Sequence, residues 1–168
     1  MSKANAQKNG WREVKLEEVC TDISYGYTAC ASDKPIGPKF LRITDIVPDS
    51  IDWDSVSYCE ISQKGKLKYK LQIGDIVIAR TGATTGYNKI IKIDTDAIFA
   101  SYLIRYKINV SIANPFYIGH LLRSSIWNSF VEGIIGGSAQ PGANAKQFAS
   151  FEFPLPPLPE QQSIAEVL

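Results

Sequence analysis

Residues 71–89, LQIGDIVIARTGATTGYNK, carry the strongest local structural signal of the chain. Gly74-Asp75 is a turn signal, and the β-branched run at 76–78 predicts a short buried strand. The strand leads into the loop RTGATTG at 80–86, whose glycines allow a sharp turn or a close approach to a ligand. Arg80 and Lys89 place cationic donors at its two ends. The stretch therefore predicts a rigid strand that presents a polar, donor-rich loop.

This loop matches neither of the common glycine-rich nucleotide motifs. A P-loop requires G-x-x-x-x-G-K-[ST], but here the glycines stand one residue too close and two residues separate Gly86 from Lys89. A G-x-G-x-x-G fingerprint is absent here and at 133–137. Two interpretations stay open: a tight turn between strands, or a loop that contacts bases and phosphates directly.

The length and composition limit the class of protein. A chain of 168 residues predicts one domain with a core that needs no staples, and 45% hydrophobic residues indicate a soluble globular protein. The net charge of +1 counts against a nucleic-acid partner. Cys20, Cys30 and Cys59 lack metal-site spacing, which predicts free thiols in a reducing cytoplasm.

The two ends of the chain differ in character. Residues 1–10, MSKANAQKNG, lack the apolar segment of a signal peptide and predict a disordered tail. Residues 151–159, FEFPLPPLP, predict an extended segment, followed by a helix with Pro159 at its first position. The apolar stripe of that helix is unfinished where the sequence stops, so we expect a longer protein or a partner to complete it. No apolar run approaches membrane-spanning length.

Between the ends, four further segments carry predictions. Residues 11–19 suit either a short helix or a strand followed by a helical turn, and residues 40–43 predict a strand. Gly26, inside a strand-like run, indicates a bulge or a close backbone approach. Residues 90–93 and 97–100 predict the two strands of a hairpin. A strand is also predicted at 101–108, and the acidic block 45–54 is expected to face away from any polyanion.

Four lysines alternate with other residues from position 64 to position 70. In an extended segment their ammonium groups would share one face, whereas in a helix only pairs such as Lys64 and Lys68 would coincide. The segment is either a solvated strand edge protected against sheet pairing or a basic stripe that contacts phosphates.

No catalytic constellation is evident in the sequence. His120, the single histidine, has no acid or nucleophile nearby and is interpreted as a partly exposed helix residue. The Asn-Pro-Phe-Tyr at 114–117 lacks the second proline of an amino-methyltransferase motif. Asn114 is instead predicted to cap a helix that begins at Pro115 and runs to Phe130. Metal-ligand spacing is absent, so no metal and no cofactor are predicted, although catalytic groups can assemble from distant positions.

Residues 132–148, EGIIGGSAQPGANAKQF, predict a second informative loop. Loops of this length tend to be functional or disordered. Its Asn and Gln side chains can pair bidentately with adenine, as Arg80 could with guanine. A flexible connector is the open alternative.

Several of these segments together resemble the target-recognition domain of the specificity subunit of type I restriction-modification enzymes. The resemblance covers nearly the whole chain and rests on WREVKLEEV, FLRITDI, LQIGDIVIARTGATTG, ASYLIRYK, NPFYIGHLLRSS and, most specifically, FPLPPLPEQQSIAEVL. It implies an α+β fold: a single target-recognition domain with a twisted, largely antiparallel β-sheet and flanking helices, ending in the start of a spacer helix. Residues 11–156 would form the DNA target-recognition domain and 157–168 the start of the conserved spacer helix.

The resemblance also implies a non-catalytic function. The module would read one half of a bipartite target in double-stranded DNA. Methyltransferase (M) subunits, and through them the restriction (R) subunit, would perform methylation and cleavage and would bind S-adenosylmethionine and ATP. The spacer helix would allow dimerisation or pairing with a second half. A typical specificity subunit has two recognition domains and two long helices, whereas this chain has one domain and a helix start.

The candidate DNA-binding residues fall into three groups. Those of the first loop are Arg80, Thr81, Thr84, Thr85, Tyr87, Asn88 and Lys89. Those of the second loop are Ser138, Gln140, Asn144 and Lys146. A third group comprises Tyr25, Tyr27 and Lys34, with Lys66 and Lys68 from the lysine stripe. Two other functions stay open: a stand-alone DNA methyltransferase or nuclease, and a protein-interaction module that uses the proline-rich tail as an SH3-type ligand.

Overall fold

A computed structural model describes residues 10–168 of the chain. Its strands are β1 (Arg12–Lys15), β2 (Cys20–Tyr25), β3 (Lys39–Leu41), β4 (Ile76–Ala79), β5 (Asn88–Ile90), β6 (Ala97–Phe99), β7 (Leu103–Ile108) and β8 (Glu152–Leu155). Its helices are α1 (Ile43–Ile46), α2 (Gln63–Tyr69), α3 (Pro115–Leu121), α4 (Ser125–Ile135), α5 (Ala145–Ala149) and α6 (Leu158–Val167). Short 3-10 turns lie at Leu16–Val19 and Gly82–Thr84. The predicted α+β class is confirmed.

The principal sheet has four strands in the order β2-β7-β4-β5, and every pairing in it is antiparallel. β1 and β8 form a separate antiparallel pair, and β3 and β6 a parallel one. All four residues of β4 are buried, so the predicted buried strand at 76–78 is confirmed. The predicted, largely antiparallel sheet is confirmed as well.

The central strands are buried because both faces of the sheet are covered. Ile76 and Ile78 face a core that contains Trp127, Phe148 and the aromatic residues of the β8 region. The alternate residues Val77 and Ala79 face a second core built around the β3–β6 pair. Successive strand residues point to opposite faces, so one strand supplies both cores.

The predicted hairpin of residues 90–93 and 97–100 is wrong. β5 pairs with β4, whereas β6 pairs in parallel with β3, through Lys39↔Ala97 and Leu41↔Phe99. The segment between them crosses from the principal sheet into the second layer, where Ala97–Phe99 is fully buried. The local pattern identified two apolar segments but could not identify their partners.

The lysine-rich segment is helical, so the extended interpretation and the sheet-edge role are wrong. α2 begins after Ser62, whose hydroxyl accepts a hydrogen bond from the Gly65 amide at 3.1 Å. This N-cap satisfies one of the free amides of the first turn. Lys66 pairs with Asp96 at 2.8 Å, which removes it from any common face with the other lysines.

Several boundaries differ from those predicted. Residues 11–19 form a strand and then a helical turn, which is one of the two predicted alternatives. Residues 40–43 split between β3 and α1. Asn114 caps α3, as predicted, by accepting from the amides of Phe116 and Tyr117. The chain then turns and starts α4 at Ser125, so a single helix to Phe130 is wrong.

The second predicted loop is shorter than residues 132–148. α4 continues to Ile135 and α5 begins at Ala145, which leaves residues 136–144 as the loop. Gly26 does make a close backbone approach, because a Cβ there would overlap the carbonyl oxygen of Ala100. The predicted disordered tail comprised residues 1–10, of which residues 1–9 lie outside the described part of the chain. None of the helices in residues 10–168 is long and apolar enough to cross a membrane.

A buried glutamine docks the C-terminal helix on the domain. α6 begins at Leu158, one residue before the predicted start, with Pro159 in its first turn. Gln161 is fully buried and accepts from the Asn114 amide at 2.8 Å. Its own amide donates to the carbonyls of Pro156 at 2.8 Å and Ile112 at 3.3 Å. The side chain thus joins α6 to the start of α3.

Gln161→Ala is expected to lower the free energy of unfolding by about 1–3 kcal/mol, because it leaves a buried amide and buried carbonyls without partners. The matched control is Gln162→Ala, since Gln162 is exposed on the same helix. The control should change stability by less than about 0.5 kcal/mol. Urea denaturation of both variants measures the difference, and equal losses would contradict the assigned role of Gln161.

Candidate nucleic-acid interface

The two loops singled out in the sequence meet in the structure. The Gly82 amide donates to the Pro141 carbonyl at 3.0 Å, and the Ala143 amide donates to the Arg80 carbonyl at 3.0 Å. Thr81 and Gly142 form an isolated antiparallel bridge between these bonds. We call residues 80–87 and 136–146, with Tyr25 and Tyr102, the loop cluster. It lies where β4 and β2 end and β7 begins.

Arg80 is the most rigidly held cation of the loop cluster. Its Nε donates to the Ser101 carbonyl at 2.9 Å. The guanidinium carbon lies 5.1 Å from the centroid of the Tyr25 ring and 5.7 Å from that of Tyr102. Such cation–π contacts fix the guanidinium plane. Within residues 10–168 its terminal nitrogens make no hydrogen bond, so its outer edge is open to a ligand.

Tyr25 connects the strand end to the second loop. Its hydroxyl accepts a hydrogen bond from the Ala145 amide at 2.9 Å, at the start of α5, while 43% of the residue stays exposed. Tyr102, on the other side of Arg80, is 57% exposed and was missed by the sequence analysis. It looked like one more alternating residue of a strand. The one sequence feature that could have identified Tyr102 is its position just before the apolar strand that starts at Leu103.

Two predicted contact residues of the first loop are used inside the protein. Thr85 is buried and donates its hydroxyl to the Gly82 carbonyl at 2.6 Å. Asn88 is buried and donates its amide to the carbonyls of Gly86 at 3.1 Å and Leu122 at 2.6 Å. The Thr85 hydroxyl bonds within the loop, and the Asn88 amide joins the loop to the end of α3, so these groups are not available to DNA.

The other residues of the first loop remain accessible. Thr81 and Thr84 are half-buried, and Tyr87 is about half exposed. Lys89 lies further along, on the edge strand β5. Burial and the nearby charges of Arg123 and Lys92 lower its pKa, while Asp49 acts in the opposite direction.

The predicted residues of the second loop are all exposed: Ser138, Gln140, Asn144 and Lys146. Asn144 caps α5 by accepting from the Gln147 amide at 2.8 Å, so its oxygen is already in use. Ser138 bonds locally to the backbone of Gln140. Gln140 and Lys146 are the two side chains of this loop best placed to contact a ligand.

The third group of candidate DNA-binding residues lies in different parts of the structure. Tyr25 belongs to the loop cluster, but the Tyr27 ring packs 5.3 Å from the Tyr69 ring in the other layer. Lys66 is ion-paired with Asp96, and the ammonium group of Lys68 lies 5.1 Å from the centroid of the Tyr69 ring. Lys34 is exposed in a loop whose Ser32 pairs with Tyr58. Lys34, Lys66 and Lys68 therefore lie outside the loop cluster. Tyr27 borders it, because the Ser101 amide donates to the Tyr27 carbonyl at 3.0 Å and Tyr27 and Tyr102 line one surface pocket.

The titratable groups give no metal site or reactive thiol in the interior. Residues 10–168 contain no group of three or more His, Cys, Asp or Glu that could hold a metal. Burial, with Asp22 nearby, raises the pKa of the Cys20 thiol to about 12, and burial raises that of Cys59. Both thiols therefore stay protonated at neutral pH. Cys30 is the exposed cysteine of the described residues.

Comparison with protein families gives one match over almost the whole chain. The model for the type I restriction modification DNA specificity domain matches residues 8–168.

Similar proteins are named as specificity subunits of type I restriction enzymes. A protein of Methanocaldococcus jannaschii named as the MjaX type I restriction enzyme specificity subunit is 29% identical over 94% of the chain. The EcoKI specificity subunit of Escherichia coli is 23% identical over 94% of it. The alignments cover 38% and 35% of those proteins, so the chain spans little more than a third of their length.

A solved structure shows the same fold. The crystal structure of the HsdS subunit from Thermoanaerobacter tengcongensis superposes with a TM-score of 0.68 at 21% sequence identity. The match covers 94% of this chain and 36% of that one.

Asn88→Ala is expected to destabilise the fold by about 1–3 kcal/mol, because the buried Leu122 carbonyl loses its side-chain donor, whereas the Gly86 carbonyl keeps the Trp127 indole. Thr84→Ala, in the same loop, is the control, and we expect a change of less than about 0.5 kcal/mol. Thermal or urea unfolding of both variants tests this. An Asn88→Ala protein of unchanged stability would return Asn88 to the set of candidate DNA contacts.

Proposed function

The chain belongs to the family of type I restriction modification DNA specificity domains, and from this membership we propose that it is a target-recognition module that reads one half of a bipartite site in duplex DNA. The names of its relatives support recognition, and not catalysis, as its role. We further propose that it acts in the cytoplasm, together with its DNA and its partner subunits.

The observation that carries this proposal is the geometry of Arg80. The guanidinium is held by one hydrogen bond and two aromatic rings, and its terminal nitrogens are left open. A planar fork of donors fits the O6 and N7 atoms of guanine in the major groove. Because the fork is already oriented, little side-chain entropy is lost on binding. Arg80 is thus the first candidate for a base-reading residue.

The remaining accessible groups of the loop cluster suit the same surface. Gln140 carries an amide that can read adenine, and Lys146 can neutralise a phosphate. The exposed ring of Tyr87 and the half-buried hydroxyls of Thr81 and Thr84 add polar and apolar contacts. The two loops are joined by backbone hydrogen bonds, so these groups form one surface.

We further propose that methylation and cleavage are performed by partner M and R subunits. In this proposal residues 11–156 form the recognition domain, and α6 forms the start of a spacer helix that pairs with a second helix. Val167 and Leu168, at the end of α6, are 85% and 73% exposed and would be covered by such a pairing.

A specific observation argues against the interaction-module alternative. An SH3-type ligand presents an extended proline-rich segment to its partner. Here residues 152–155 are paired with β1, and Phe153, Leu155 and Pro156 are buried. The proline-rich segment is part of the domain core.

Arg80→Ala is expected to cost about 1–3 kcal/mol of binding free energy on the preferred sequence and to relax the preference at one base pair. Selection of bound duplexes from a randomised pool, at two salt concentrations, provides the preferred sequence. Fluorescence anisotropy on that duplex and on single-base variants then measures the loss.

Two variants serve as controls for that experiment. Arg80→Lys keeps the charge but loses the planar fork, so it should relax the base preference almost as much. Lys64→Ala removes an exposed lysine outside the loop cluster and should leave the preference intact. Equal weakening of all sequences by Arg80→Ala would mean that Arg80 contacts a phosphate. No enriched motif under either salt condition would contradict sequence recognition by this chain alone.

A further inference from the structure

A half-open pocket of about 230 Å³ lies beside the edge strand β5, between the residue 49–53 loop and α3. Its apolar lining comes from Ile51, Trp53, Ile90, Ile93 and Phe116. Its polar lining comes from Asp49, Lys89, Lys92, His120 and Arg123. None of the lining residues belongs to the loop cluster as defined above, although Lys89 stands only two residues after Tyr87 in sequence.

The basic groups of this pocket are not neutralised by the protein. No carboxylate within residues 10–168 lies within 4.0 Å of Lys89, Lys92 or Arg123, since the ion pairs found there involve other cations. Asp49 is close enough to influence Lys89 but forms no such pair. Three cations and a histidine therefore converge on one cavity, with a single acid.

The electrostatics show that these groups act on one another. The pKa of Lys89 is lowered by burial and by Arg123 and Lys92, and that of His120 is lowered by burial and by the same two cations. An arrangement of mutually repelling cations is unfavourable unless an anion offsets it. A bound anion would relieve this repulsion and would raise both pKa values.

A small inorganic anion would contact only the cationic side of this cavity and would leave its apolar wall uncovered. Its apolar wall includes the rings of Trp53 and Phe116, and aromatic side chains offer flat surfaces to bases and sugars. Lysine and arginine at the rim supply charge-assisted hydrogen bonds to phosphate oxygens. A phosphate joined to a sugar and a base combines the two chemistries in one ligand.

We propose that this pocket binds a nucleotide, with the phosphate at Lys89, Lys92 and Arg123 and the sugar or base against Trp53 and Phe116. Two sources would provide this chemistry: a free nucleotide, or a nucleotide of bound DNA. The second source rests on the proposed function, because it makes the pocket a flanking contact of the DNA site. Residues 80–89 connect the loop cluster to the pocket, since Arg80 belongs to the loop cluster and Lys89 lines the pocket.

The experiment uses His120 as a reporter, because it is the only histidine of the chain and lines the pocket. Its imidazole NMR signals are followed during titration with inorganic phosphate, with deoxynucleoside monophosphates, with duplex DNA and with a glutamate-rich peptide. We expect a saturable shift with a mononucleotide that is tighter than with inorganic phosphate, and a rise in the pKa of His120. Sodium chloride at matched ionic strength should not reproduce the shift.

Charge-removing variants locate the site. Arg123→Gln and Lys92→Gln alter exposed side chains and should each weaken nucleotide binding about tenfold, the scale of one charge-assisted hydrogen bond. Lys64→Gln removes the same charge at an exposed position of α2 and should have no effect. The His120 response should persist in Arg80→Ala, so loss of base preference and loss of pocket binding are separate results.

Each possible result of these titrations either supports or overturns the proposed nucleotide site. A response to duplex DNA without a response to mononucleotides would support the pocket as a DNA phosphate contact, provided that Arg123→Gln abolishes it. No saturable response to any phosphate ligand would overturn the proposal, as would equal weakening by Lys64→Gln. A response to a glutamate-rich peptide but not to phosphate would also overturn it and would assign the pocket to an acidic protein partner.

Discussion

The fold depends on a buried arginine at the centre of the principal sheet. Arg105 is 5% exposed on β7, with paired strands on both sides. Its guanidinium donates to the carbonyls of Lys70 at 2.9 Å and Lys68 at 3.3 Å, and to the Ser24 hydroxyl at 3.2 Å. It also lies 4.9 Å from the centroid of the Phe99 ring. An arginine cannot lose its proton in a protein, so its burial is favourable only where acceptors surround it. The two terminal nitrogens find such acceptors, while the buried Nε has no hydrogen-bond partner within residues 10–168. The end of α2, β2 and β6 are thereby fixed to one strand.

The same sheet determines the geometry of the loop cluster, the surface proposed for DNA recognition. Gly26 lies against Ala100 so closely that no side chain fits, which lets the chain after β2 pack on the segment before β7. This packing places Tyr25 and Tyr102 on either side of Arg80. A one-residue slip in strand register would turn each side chain to the opposite face. The open guanidinium edge is therefore a consequence of strand pairing and not of the loop sequence by itself.

The sequence predicted those features whose causes are local. A β-branched run identified β4, Asn114 followed by proline identified a helix start, and a glycine in a strand identified a close approach. The hairpin failed because strand pairing depends on residues distant in sequence. The lysine-rich segment was ambiguous because the carbonyls at the end of its helix accept hydrogen bonds from Arg105, more than thirty residues away. The resemblance to a known family supplied the fold, but it could not distinguish polar loop residues that face outward from Thr85 and Asn88, which face inward.

The near-zero net charge counted against a nucleic-acid partner in the sequence analysis. The structure weakens that argument, because it shows which charges are paired and which are not. Lys66, Arg42 and Lys107 each lie within 4.0 Å of a carboxylate, and Arg105 is buried beside Asp22. Charges paired in this way largely cancel at the distance of a bound polyanion. Arg80, Lys89, Lys92 and Arg123 have no carboxylate that near in residues 10–168. Affinity for a phosphate backbone depends on the cations that contact it and not on the total. A chain of net charge +1 can therefore present a cationic surface to DNA where several cations without a paired carboxylate lie close together.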